Sequence, residues 1–287
     1  MTALLTAVAL VAFASNSILC RLALGAREID AANFTLVRVA AGALTLLLIR
    51  AATASKTPAA TKAAVTPNRT PAPWISASLL FAYAEPFSFA YIQLSAGTGA
   101  LILFASVQAT MLIGAVKSGE RFNWLEGLGL AVALAGLTYL VSPGLSAPSP
   151  LGSALMAIAG IAWGLYSLRG RGSSDPLGET TANFVRAIPL AVLVSLIAIR
   201  GAHLSPRGAL FAAASGAIAS GLGYTIWFAA LRGLTAIRAA TVQLTVPVIA
   251  AGGGVLLLGE SITARLTLSA ALILGGVGLA LAGRARR

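Results

Sequence analysis

Glu85 interrupts an otherwise apolar run, 73–95, that contains no other charged side chain. A charge at the centre of a bilayer costs about 2.5–3.5 kcal/mol, so such a residue faces a cavity or a partner. Glu85 is therefore a candidate proton or cation site, or half of a structural ion pair with Arg38 or Arg186. Ser78, Phe81, Glu85, Ser88 and Ile92 recur at steps of three and four and share one helical face. That face is the expected cavity lining. Tyr83, Phe87 and Tyr91 share the opposite face, where helix packing or lipid contact is the stronger reading.

Arg38 and Arg186 occupy equivalent places in two apolar runs. They could clamp a substrate carboxylate in bidentate fashion or snorkel to the interface, and the sequence favours snorkelling for both. Met156, Gly160, Trp163 and Ser167 share a face with Tyr166 beside them, and Gly216, Ser220, Tyr224 and Trp227 repeat the pattern. Rings flanking small residues suit a pocket that stacks planar groups or meets cations, although Trp and Tyr also form interfacial belts. Asn16, Gln108 and Gln243 can donate and accept within the bilayer, or glue helices together. Pro86, Pro189 and Pro247 each remove a donor, which frees a carbonyl four residues earlier or marks a hinge.

Other chemistries lack their residues. There is no Gly-x-x-x-x-Gly-Lys loop for a nucleotide, and one His and one Cys form no metal-ligand cluster, so neither a cofactor nor a metal is expected. No Ser/His/Asp set converges, and the chain is not read as an enzyme. The net charge of +12 is scattered singly at the ends of apolar runs without aromatic interleaving, which argues against nucleic acid. The lone Cys20 offers no disulfide framework.

The elements that must position these residues are membrane helices. The chain is 58% hydrophobic and 10% charged, with mean hydropathy +0.89. Apolar runs of about 20 residues, each enough for a bilayer of about 30 Å, recur throughout. Ten are expected: 2–24, 31–50, 73–95, 97–116, 123–142, 150–169, 180–199, 208–231, 237–258 and 264–283. No basic residue precedes the first, which is read as a retained span. The Ala/Thr/Pro tract 51–72 is read as a mobile linker. With the N-terminus cytoplasmic, thirteen Lys and Arg fall in cytoplasmic segments: Arg50, Lys56, Lys62, Arg69, Lys117, Arg121, Arg169, Arg171, Arg232, Arg238, Arg284, Arg286 and Arg287. Five fall outside: Arg21, Arg27, Arg200, Arg207 and Arg265. That bias places both termini in the cytoplasm.

The chain also contains itself twice. From Ser95 onward a constant offset of 140 matches Gly119-Glu120 with Gly259-Glu260 and Gly136 with Gly276. Ala31–Arg38 matches Thr181–Arg186 more loosely, at an offset near 150. The expected fold class is an all-α integral membrane protein of ten helices in two inverted five-helix repeats, 1–143 and 144–287. Repeats of this kind build secondary transporters, with a substrate site near the midplane. The glycines at 127, 129, 136, 275, 276 and 278 are read as close-packing positions in scaffold or a subunit contact, leaving a homodimer open.

The second half carries Thr245-Val246-Pro247-Val248, Leu258-Gly259-Glu260 and Ala271-Leu272-Ile273-Leu274-Gly275-Gly276, with Trp163-Gly164 in the sixth run. These motifs resemble the EamA-type branch of the drug/metabolite transporter superfamily, and the whole chain is most similar to its bacterial exporters of aromatic amino acids and cationic drugs. The first half departs, with Ala14-Ser15-Asn16 in place of Trp-Gly and Val107 in place of Pro247. The resemblance implies a multi-pass exporter of small amphipathic metabolites in a bacterial inner membrane, working by alternating access. Two other readings stand beside it: a sugar-phosphate or nucleotide-sugar carrier, and a non-transporting scaffold.

Overall fold

An apolar chain in lipid must satisfy its backbone internally, and this one does so with helices. The computed structural model describes residues 2–54, 73–117, 124–144, 147–170, 173, 175–231, 233–234 and 242–285. Among them lie ten helical rods: α1 (Thr2–Gly25), α2 (Ala31–Ala54), α3 (Pro73–Tyr91), α4 (Ala96–Lys117), α5 (Trp124–Val141), α6 (Pro150–Gly170), α7 (Pro176–Ile197), α8, α9 (Thr245–Leu258) and α10 (Ala264–Ala285). The rod α8 is continuous through Pro206–Ala214, Ser215–Leu222 and Gly223–Leu231, with its middle piece wound as a π-helix. The described residues contain no strand, only an isolated bridge between Ile29 and Leu204. Seven rods (α1, α2, α5, α6, α7, α8 and α10) are long and apolar enough to cross a bilayer. Shorter apolar helices, Ala96–Met111 and Thr245–Leu258, lie in α4 and α9.

Local signals set the helix starts. Prolines open α3, α6, α7 and α8, where a missing N–H costs nothing. The Asp175 carboxylate accepts from Gly178 N at 2.9 Å, so α7 begins at Pro176, earlier than the expected 180. Ser205 caps α8 through Gly208 N at 3.0 Å, and Ser95 caps α4 through Thr98 N at 3.2 Å. Gly259, at φ 65, closes α9 in a conformation glycine adopts freely. Much of the 51–72 linker, Glu120 with Gly119, the beginning of the ninth expected span, and Lys56, Lys62, Arg69, Arg121, Arg171, Arg232, Arg238, Arg286 and Arg287 lie outside the described residues.

Lipid gives no hydrophobic drive between helices, so close backbone approach decides the packing. α5 and α10 pair tightly: a Cβ on Gly129 would strike Gly276 O and Ala280, and one on Gly136 would strike Leu272 and Ile273. Gly129, Gly136 and Gly276 thus have the close-packing role expected of them, whereas Gly127, Gly275 and Gly278 face nothing within 4 Å. The other rods form most of the main core, joined by Leu140 of α5 and Ile273 of α10. There α3 packs on α6 and α8 on α1; α4 on α6 and α9 on α1; α3 on α7 and α8 on α2. Exchanging each rod with the one five later converts the first member of each couple into the second. The pairs α2–α7, α4–α9 and α5–α10 map onto themselves.

Candidate functional site

Arg38 stands seven residues into α2, about 10 Å along its axis. It is only 2% exposed, which overturns the snorkelling expectation for this residue. Its guanidinium has stronger reasons to stay. Nη2 donates to the Tyr83 hydroxyl at 2.8 Å, and Cζ lies 4.8 Å from the Phe87 ring centre and 5.2 Å from that of Tyr83. Cation–π attraction is strongest in such a desolvated setting. No carboxylate lies within ion-pair distance, and Nη1 has no hydrogen-bond partner among the described residues.

Tyr83 gathers the site. Its oxygen also accepts from Asn16 Nδ2 at 3.2 Å, while Asn16 Oδ1 accepts from Ser215 Oγ of α8. The hydroxyl therefore ties α1, α2 and α3 together, with α8 one bond further on. The Tyr83 ring lies 4.8 Å from Trp163, which is 5.2 Å from Tyr224 and 5.5 Å from Tyr166. Phe13 meets Tyr224 at 5.8 Å and Trp227 at 5.7 Å, and Phe184 meets Tyr224 at 6.0 Å. Asn183 Nδ2 donates to the Tyr166 hydroxyl at 3.4 Å. The two expected aromatic faces thus form one cluster, drawn from both halves of the chain.

Glu85 lies on the other side of α3, 8% exposed, and neither carboxylate oxygen has a hydrogen-bond partner among the described residues. The ion pair with Arg38 or Arg186 considered from the sequence does not form. Thr35, one turn before Arg38 on α2, donates to Ser88 Oγ at 2.7 Å. Ser88 in turn donates to Ala84 O at 3.1 Å. The face assigned to Glu85 is buried only in its middle, since Ser78 and Ile92 at its ends are exposed.

Other candidates sit apart. Gln108 is buried, lining a void of about 10 Å³ between α4, α5 and α10, no larger than one water. Arg186 is half-buried and joins none of the site's hydrogen bonds or ion pairs, and Gln243 is half-buried just before α9. α3 and α7 run through Pro86 and Pro189 unbroken, while the helical run is interrupted at Leu244, three residues before Pro247.

Sequence reasoning missed Tyr83 as a hub, because one face of α3 was assigned to packing and the other to function. A helix packed between two others, as α3 is between α6 and α7, has two interior faces. It also missed the ion pair at one end of the bundle. Arg21 Nε meets Glu260 Oε1 at 3.2 Å and Arg21 Nη1 donates to Tyr91 O at 3.2 Å. The Glu260 carboxylate accepts Ala96 N at 2.8 and 3.1 Å, capping α4. Basic and acidic partners 239 residues apart leave no local signal.

Comparison with known proteins gives the same frame. Residues 150–282 match the EamA-like transporter family. An uncharacterized protein of Pseudomonas aeruginosa is 48% identical over 287 residues, covering 100% of this chain and 96% of that protein. A Salmonella typhimurium protein named as a probable amino-acid metabolite efflux pump is 27% identical over 71% of this chain and 77% of its own. Its Escherichia coli namesake is 25% identical over the same shares. A crystal structure that is 19% identical aligns over 100% of this chain and 99% of its own with TM-score 0.67, a likeness of fold. An all-helical membrane bundle, a polar and aromatic centre drawn from both halves, and a full-length relative converge with the family match: the chain belongs to the EamA-like transporter family.

Proposed function

We propose that the protein is a secondary exporter of small zwitterionic metabolites, with aromatic amino acids as the leading substrates. The observation that carries this reading is the unmet charge of Arg38 beside the ring cluster. The Arg38 cation and the Glu85 carboxyl are both buried on adjoining helices, and neither pairs with the other. Burying the Arg38 charge without a counter-charge is costly, so a ligand that brings a carboxylate is favoured there. Its carboxylate would meet Arg38 and its ring the Tyr83–Trp163–Tyr224 cluster, while Glu85, on the other side of α3, would serve as the proton or cation site. A sugar phosphate would call for a second inward cation, and Arg186 does not join Arg38.

The ten rods act as ten spans in two inverted repeats, with the N- and C-termini cytoplasmic and the membrane a bacterial inner membrane. The exchange of packing pairs between halves supports this, as does the Lys and Arg bias. Rocking of one repeat against the other around the ring cluster would supply alternating access. The efflux-pump names of the two enterobacterial relatives agree with export of amino-acid metabolites.

Proteoliposomes loaded with labelled L-phenylalanine test this reading. Efflux is expected from the wild type and a loss of about tenfold or more in both Arg38→Gln and Glu85→Gln, the effect of losing one buried charge-assisted contact. Phenethylamine, which lacks the carboxylate, should move more slowly than phenylalanine. If phenylalanine stays inside while a sugar phosphate crosses, the zwitterion reading is wrong.

A further inference from the structure

Where α1 turns into α2, a cavity of about 400 Å³ opens beside Arg27, Asp30 and His203. That volume lies within the range of about 300–1,000 Å³ usual for small-molecule sites. Much of its lining is apolar, with Leu24, Phe89 and Ile92 among the contributors. Its walls belong to the helices that flank Glu85. Ala32 lies one turn before Thr35 on α2, and Phe89 and Ile92 lie one and two turns beyond Glu85 on α3.

The polar groups at the rim divide into committed and free. The Asp30 carboxylate accepts Asn33 N at 2.9 Å, Asn33 Nδ2 at 2.7 Å and His203 N at 2.9 Å, pinning the 203–205 loop to the start of α2. Glu28 is held by Ser205 Oγ at 2.6 Å and Arg207 Nη1 at 3.8 Å. Arg27 forms no ion pair among the described residues, and its side chain is exposed at the cavity.

The backbone of Arg27 adds an independent point. Glu28 N donates to Ala23 O at 2.9 Å and Arg27 N to Leu24 O at 3.1 Å, the two bonds of a Schellman cap on α1. Arg27 fills the left-handed position of that cap, at φ 54. Glycine adopts this conformation without strain, so the cap alone does not call for an arginine. A free guanidinium over an apolar floor matches a molecule that joins a carboxylate to an apolar body.

We propose that this cavity is a second ligand site, a vestibule for carboxylate-bearing amphipathic molecules. Arg27 takes the carboxylate, with Phe89 and Ile92 against the apolar part. As the place where substrate pauses beyond Glu85 the vestibule rests on the exporter reading. As a binding site it does not.

Photolabelling of the detergent-solubilised full chain with 4-benzoylbenzoate, followed by peptide mass spectrometry, tests it. Adducts are expected on Leu24, Phe89 or Ile92, and the neutral amide of the probe should give fewer. Arg27→Gly suits the cap and keeps the fold. It should lower the acid's adducts at these residues about tenfold, as loss of one charge-assisted contact would. Lys117→Gln, which removes an exposed cation from the end of α4, should leave them unchanged. Adducts absent from these residues in the wild type, or unaltered in Arg27→Gly, overturn the proposal, whatever phenylalanine efflux does. Labelling as expected without efflux would instead sink the exporter reading and leave the site standing.

Discussion

Arg38 shows how a residue can work against the stability of its own protein. Its guanidinium is out of water, has one hydrogen bond and two ring faces, and meets no counter-charge. Replacing buried charges by apolar side chains of similar volume is often neutral or stabilising by about 1–4 kcal/mol. Arg38→Met is therefore expected to unfold in detergent at the same or a higher temperature while losing phenylalanine efflux. A clear drop in the melting midpoint would make Arg38 a structural support rather than a ligand group. The residue itself was legible in the sequence, but its direction was not: a long side chain can snorkel or turn inward, and only Tyr83 and Phe87 decide which.

At the scale of elements, the π-wound piece of α8 is the feature most closely fitted to the site. Ser215 and Gly216 open it, the first bonded to Asn16 and the second lying against the backbone carbonyl of Arg38. Wide turns of this kind gather at functional positions in helices. A Cβ at Gly216 would overlap that carbonyl, with backbone on both sides and no flexible end to yield. Gly216→Ala should thus cost about 1–3 kcal/mol of stability. Gly275→Ala on α10, with open space around it, should be near neutral. Thermal unfolding of both variants in one detergent checks the contrast, and equal midpoints would mean that α8 and α2 are not locked together. Periodicity placed a helix here, yet nothing in the run Ser215–Leu222 marks an extra residue per turn.

For the whole molecule, the exchange of helix pairs and the 140-residue offset support two related copies, and the inversion of the second is the proposed reading. An odd number of spans per copy has a direct consequence. An alkaline phosphatase fusion at Pro148, after the first copy, should be active in the periplasm, whereas one at Arg287 should be inactive. Activity at neither point would require an even count and parallel copies. The Arg21–Glu260 contact joins the end of α1 to the loop between α9 and α10. It therefore ties the two copies together at one end of the bundle, close to the fully buried Cys20.

Helicity, membrane residence, the internal repeat and the family were written in the sequence by itself, because each depends on composition, period and local motifs, and lipid leaves an apolar chain few alternatives to helix. Glu85, Arg38, Trp163 and Tyr224 were also visible as candidates, since a charge or a ring in an apolar run stands out. Only the tertiary structure decided which of them meet. It brought Tyr83 to Arg38 and Asn16, left Glu85 unpaired, sent Gln108 to a different helix junction and joined Arg21 to Glu260. Those outcomes depend on how rods far apart in sequence approach one another. Gly216 sets such an approach through contact with the Arg38 backbone, which has no periodic signature along the chain.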